Sequence, residues 1–111
     1  MFRGGVAGSG SFCGALPAAV YTIGLVTDPD TQMKLVKQLM AWFLEAPFPQ
    51  YQPAGMDLPP VVAKSDSCRD ILGLFMEATG FELYSPGHGA FCGGLTADVA
   101  RYTAELLNKQ A

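Results

Sequence analysis

The stretch DPDTQMKLVKQLMAWFLEA, residues 28–46, sets the fold class. Asp28 offers a side-chain oxygen to orphan backbone N–H groups, and Pro29 suits a first helical position. Met33, Val36, Met40 and Phe43 then recur at helical spacing, widened by Leu39 and Leu44. Lys34, Lys37 and Gln38 lie off that stripe. The period is that of an amphipathic helix over 29–46 with one face against a core.

Working outward, the upstream run Phe12 to Val26 is apolar and alanine-rich, which favours a buried helix over a strand. Downstream, residues 47–64 carry Pro47, Pro49, Pro53, Pro59 and Pro60 and form a loop. Ser65 or Asp66 caps the next helix, Gly80 ends it, and Cys68, Ile71, Leu72, Phe75 and Met76 share one face. Residues 81–90 form a second loop around Pro86-Gly87-His88-Gly89. A last helix is expected from near Cys92 to about Lys109, with Leu95, Val99, Tyr102 and Leu106 as its stripe. No useful β-alternation appears. The expectation is an all-α small bundle of about four helices with two long Pro/Gly-rich loops, forming a single domain over 1–111.

Composition narrows the function. The 111 residues are 50% hydrophobic but only 15% charged, against about 25% in an average soluble domain. Such a surface is expected to meet a second subunit, a partner or a cofactor. A net charge of -3 without a basic cluster argues against nucleic acid. Gly14, Pro17 and Gly24 interrupt the longest apolar run, so no membrane span is expected. Arg3 stands alone ahead of that run with no cleavage pattern after it, so the expected location is cytoplasmic.

Cys13, Cys68 and Cys92 are too few for a secreted disulfide framework. Phe12-Cys13-Gly14-Ala15-Leu16-Pro17-Ala18-Ala19-Val20 is echoed by Phe91-Cys92-Gly93-Gly94-Leu95-Thr96-Ala97-Asp98-Val99, identical at six of nine positions. In this reading each copy opens a helix, and Cys68 opens another. A helix N-terminus lowers a thiol pKa and favours the thiolate, which attacks disulfides and binds metals. Cys13 and Cys92 are therefore the candidate reactive thiols, with Cys68 as resolving partner or third ligand. With His88, four residues before Cys92, they make a Cys3His set for zinc or an iron–sulfur cluster. The spacing is unlike that of a zinc finger or ferredoxin. A plain reading makes His88 a solvated loop residue and the cysteines core fillers of a non-catalytic assembly module.

The order of these blocks resembles a known family. A glycine-rich approach leads to Cys13-Gly14-Ala15 and an apolar helix ending Ile23-Gly24-Leu25. A Lys-bearing amphipathic helix follows, then Cys68-Arg69-Asp70-Ile71-Leu72-Gly73, then Cys92 ahead of a final helix. This is similar to the C-GCAxxG-C-C family of redox-active proteins. The resemblance implies a helical fold, thiol–disulfide exchange or an iron–sulfur cluster for electron transfer, and an unnamed redox partner. By that match Cys13, Cys68 and Cys92 take the second, third and fourth cysteine positions. The Gly-Cys-Ala motif is loose here, because Phe12 precedes Cys13 and Gly14 follows it. The first cysteine, with its helix, would fall upstream of Met1. The helices near 12–26 and 92–109 would then expose apolar surface, and a homodimer or protein partner is expected to cover it near Cys13.

Overall fold

The computed structural model describes residues 9–10, 12–52 and 58–109. Most of the glycine-rich start and the middle of the proline-rich loop, including Pro53, lie outside the described residues. Four helices appear in chain order: α1 Ala15–Val26, α2 Pro29–Glu45, α3 Cys68–Thr79 and α4 Pro86–Asn108. The fold is all-α. Two isolated antiparallel bridges, Phe12 with Ser67 and Phe48 with Val61, are the β-like pairing recorded among the described residues.

Local signals explain each helix. Asp28 starts α2: its Oδ1 accepts from the Thr31 N–H at 2.9 Å and its Oδ2 from the Thr31 hydroxyl at 3.0 Å. Those bonds hold the Asp28 carboxyl below its ordinary pKa. The buried face of α2 is Leu35, Leu39 and Phe43. Met33, expected in the stripe, is 57% exposed, because Leu35 takes the inward position of the first turns. Gly80 closes α3 at φ +76, a left-handed conformation that suits glycine. Ser67, rather than Ser65 or Asp66, is the residue at the N-cap of α3. Ser65 braces that turn instead: its hydroxyl donates to Asp70 at 2.7 Å and accepts the Ser67 N–H at 3.0 Å.

The last helix departs most from expectation. It begins at Pro86, two turns before its expected start near Cys92. Ser85 caps it by accepting the His88 N–H at 3.3 Å, with Pro86 at the first position. The second loop therefore shrinks to 81–85. Gly87 of this turn is matched to its surroundings, because Phe81 lies against it where any Cβ would stand.

Helix α1 packs on α2 and α4, and α2 also packs on α4. Phe75 of α3 stacks on Phe91 of α4 with ring centroids 4.3 Å apart. Ile23, Leu35, Leu39, Phe75, Phe91, Leu95 and Val99 form the deepest core. The described ends of the proline-rich loop are tied down. Phe48 and Val61 exchange backbone bonds of 3.0 and 2.8 Å. Buried Asp98 of α4 accepts the N–H groups of Gln50 at 2.6 Å and Tyr51 at 3.1 Å.

Candidate thiol centre

The three thiols are brought together by one backbone strap. Gly10 sits at φ +76, and its carbonyl accepts the Arg69 N–H at 3.1 Å and the Ser67 hydroxyl at 2.9 Å. Three residues on, the Cys13 N–H donates to Asp66 at 2.6 Å. The segment entering α1 is thus bonded to the segment entering α3, which sets Cys13 beside Cys68. The sheet-like Phe12–Ser67 bridge lies in the same strap. Cys92 joins them from α4, which packs on α1.

All three sulfurs belong to reduced cysteines, and all three side chains line one cavity of about 610 Å³. The cavity runs from Tyr84, Ser85 and His88 at one end, past the thiols, to Thr103 and Leu107 at the other. Among the described residues, its walls hold no Asp, Glu, Lys or Arg.

The electrostatics overturn one expectation. Cys68 is the first residue of α3, but Cys13 lies just before the N-cap Gly14 of α1, and Cys92 is in the second turn of α4. Only one of the three is therefore inside a first helical turn. Burial is the larger force. It raises the Cys13 thiol, with smaller contributions from Cys68 and Asp66, while an Ala15 N–H works the other way. It also raises Cys68. The Cys92 thiol is pushed up to about 12, by burial first and then by Cys13 and Cys68. Taking a thiolate out of water costs more here than a helix end returns. Burial therefore favours neutral thiols at neutral pH. The influence of Cys68 on Cys13, and of both on Cys92, places the three groups close together.

His88 is not a solvated loop residue. It is 6% exposed, inside α4, and its Nδ1 accepts the Tyr84 N–H at 2.7 Å. That bond places the proton of the neutral ring on Nε2, so neither nitrogen keeps a lone pair for a metal. Among the described residues, no group of three or more His, Cys, Asp or Glu is gathered tightly enough to hold a single metal ion. The donors themselves are of the kind a cluster uses, because cysteine thiolates are the usual cluster ligands.

Sequence reading missed the rest of the cavity wall. Thr96, Ala100 and Ala104 extend the line of Cys92 along α4 at helical spacing. The signal was present as a small, uncharged stripe on a helix that elsewhere carries Arg101 and Glu105.

Fold and site together define a helical, cysteine-bearing module with its thiols gathered at one cavity. The chain belongs to the C-GCAxxG-C-C family, described as "putative redox-active protein", whose pattern matches residues 1–106. It is similar to split-Soret cytochrome c of Desulfovibrio desulfuricans, 29% identical over 96% of this chain and 40% of that protein. A solved structure is similar at a TM-score of 0.88 and 29% identity, covering 96% of this chain and 47% of that one. It is described as showing a novel iron centre in the split-Soret cytochrome c of that organism. The chain thus spans less than half the length of these relatives. No described helix is long and apolar enough to cross a membrane.

Proposed function

We propose that this chain is an electron-transfer module whose Cys13, Cys68 and Cys92 hold an iron–sulfur centre. One observation carries the reading: three cysteines from three different parts of the chain, Cys68 buried and Cys13 and Cys92 partly so, face one uncharged cavity, where Cys68 raises the Cys13 pKa and both raise that of Cys92. Three sulfurs that repel as thiolates are a site that a cationic group would relieve. The relative with an iron centre on a similar fold supports the same direction. When bound, the centre would supply reversible one-electron chemistry. The chain's own part is to provide the sulfurs and surround them with apolar walls that limit water, which bears on potential.

Thiol–disulfide exchange is the weaker alternative. Exchange needs a thiolate at working pH, and burial keeps these sulfurs protonated. A structural zinc site using His88 is weaker still, because its ring lacks an available lone pair.

The test is anaerobic purification followed by reconstitution with ferrous iron and sulfide. Iron, acid-labile sulfide and visible absorbance should appear together and be lost in Cys13→Ser. A colourless, iron-free protein with three titratable thiols after reconstitution would sink the reading. Stoichiometric zinc would replace it with the structural alternative.

A further inference from the structure

We infer that the loop joining α3 to α4 is the docking surface for a redox protein that presents an apolar cofactor edge inside a basic rim. The inference rests on the iron reading for its chemistry and names the partner of that same centre. The first observation is the loop itself. Phe81, Leu83 and Tyr84 are 37%, 48% and 46% exposed, three large side chains within four residues. The turn that carries them is held in place. The Phe81 N–H donates to the Thr79 hydroxyl at 3.2 Å, and the Ser85 N–H to the Glu82 carbonyl at 3.2 Å. The Tyr84 N–H donates to His88 at 2.7 Å, with Tyr84 at φ +61 in the left-handed region. A bulky residue is uncommon there, and such strain gathers at functional sites. Apolar groups on a turn already ordered lose little conformational entropy on binding.

The second observation is what lies behind the loop. Its inner side meets the thiol cavity, where Tyr84 and Phe91 are both in the wall and Phe91 directly precedes Cys92. Phe91 stacks on Phe75 with centroids 4.3 Å apart, and Phe75 meets Phe81 at 6.1 Å. Both separations are those of rings in contact. A row of packed rings therefore runs from the cavity wall to the exposed loop. Electron tunnelling falls steeply with distance and decays more slowly through packed atoms than across gaps. A centre at the thiols is thus well coupled to an acceptor seated on Phe81 and Tyr84.

The third observation is charge. No lysine or arginine stands between Arg69 and Arg101, whereas Asp70, Glu77 and Glu82 of that stretch are all exposed. Glu82 lies within the loop and Glu77 in the last turn of α3, so the apolar patch has an acidic border. A basic rim on the partner would be steered to it and oriented by it. A patch of a few side chains suits the small, transient interfaces of electron-transfer encounters. The step moves one electron. The reduced centre is oxidised by one unit, a ferric haem in the partner becomes ferrous, and no bond or proton changes.

The probe is a small ferric haem protein with a basic surface. Calorimetry on the metal-free whole chain reads docking without the iron centre. Binding should saturate in the micromolar range at low ionic strength and weaken at least tenfold at high salt. The double variant Glu77→Lys with Glu82→Lys should weaken it at least tenfold, and Leu83→Ser at least fivefold, with helical circular dichroism kept. Lys37→Gln on α2 should change nothing. In the reconstituted, reduced protein, Leu83→Ser should slow haem reduction at least fivefold yet leave reduction of ferricyanide within twofold. Binding of this pattern by a chain that forms no centre would support the surface while sinking the iron reading. Absence of saturable binding at low salt overturns the inference. So does binding that both loop variants leave intact, or equal binding of an acidic haem protein.

Discussion

Helix α4 presents two faces that were built differently. On one, Gly94 and Asp98 receive the Pro49–Tyr51 loop: a Cβ on Gly94 would collide with the Tyr51 carbonyl, and the Asp98 carboxylate takes two backbone N–H groups. Trp42 stacks on Tyr102 at 4.2 Å beside it. On the other face, Cys92, Thr96 and Ala100 border an uncharged cavity. The loop face is filled and has its polar groups paired. The cavity face gives up packing and places three thiols in poor solvation. The contrast teaches that stability and chemistry are separated across one helix. Substitutions on one face should therefore spare the property of the other.

The largest expected effect is on the cavity face. Cys92→Ala should abolish iron incorporation while leaving the denaturation midpoint of the metal-free protein within roughly 1 kcal/mol, since a buried thiol acts as a small hydrophobe. Loss of both iron and fold would break the proposed separation. Because the Cys92 pKa is raised in the folded state to about 12, the folded protein keeps its proton where the unfolded chain loses it. Stability of the metal-free protein is complete below about 9 and falls as pH rises from there towards 12. Thermal melts in Cys92→Ala should show a shallower alkaline decline.

Next comes the loop face. Asp98→Ala leaves two backbone N–H groups without their charged acceptor and should cost roughly 3 kcal/mol. Asp98→Asn keeps one acceptor oxygen and should cost about half as much. Urea denaturation measures both, and iron content per folded chain should not change. A smaller and more pointed contrast lies in adjacent glycines. Gly94→Ala forces the loop away and should destabilise by about 2 kcal/mol. Gly93→Ala meets nothing within 4 Å and should stabilise by up to about 1 kcal/mol through helix propensity. Equal effects at the two positions would deny that the loop is seated on Gly94.

These faces were unequally legible in the sequence. Helix α2 could be read because Asp28-Pro29 is a cap with a mechanism and its apolar residues keep one period. The family assignment was legible from Cys68-Arg69-Asp70-Ile71-Leu72-Gly73 and the order of the cysteines. The start of α4 was not, although Ser85-Pro86 carries the same cap signature as Asp28-Pro29. Three glycines in Gly87, Gly89 and Gly93 outweighed it, and the reason for one of them, Phe81 lying on Gly87, is a tertiary contact. That error also misplaced His88 and put Cys92 at a helix start. The direction of the thiol pKa values was hidden for a related reason. Helix position can be read from sequence, but desolvation depends on what packs around the sulfur.

The smallest effect should come from the rim between the two faces. Arg101 donates to Glu105 at 2.9 Å and to the Gln50 side chain at 2.9 Å, so it ties α4 to the proline-rich loop from outside. Both charged partners are about half exposed, at 49% and 50%, and an ion pair in that setting is screened and entropically costly to hold. Arg101→Ala should therefore cost no more than about 0.5 kcal/mol, and less at high salt. Asp98, by contrast, grips the same loop from beneath with 1% exposure. If denaturation gave Arg101→Ala a cost near that of Asp98→Ala, the loop would be held from its surface rather than from its buried side. The filled face of α4 would then be a consequence of that external tie, not its cause.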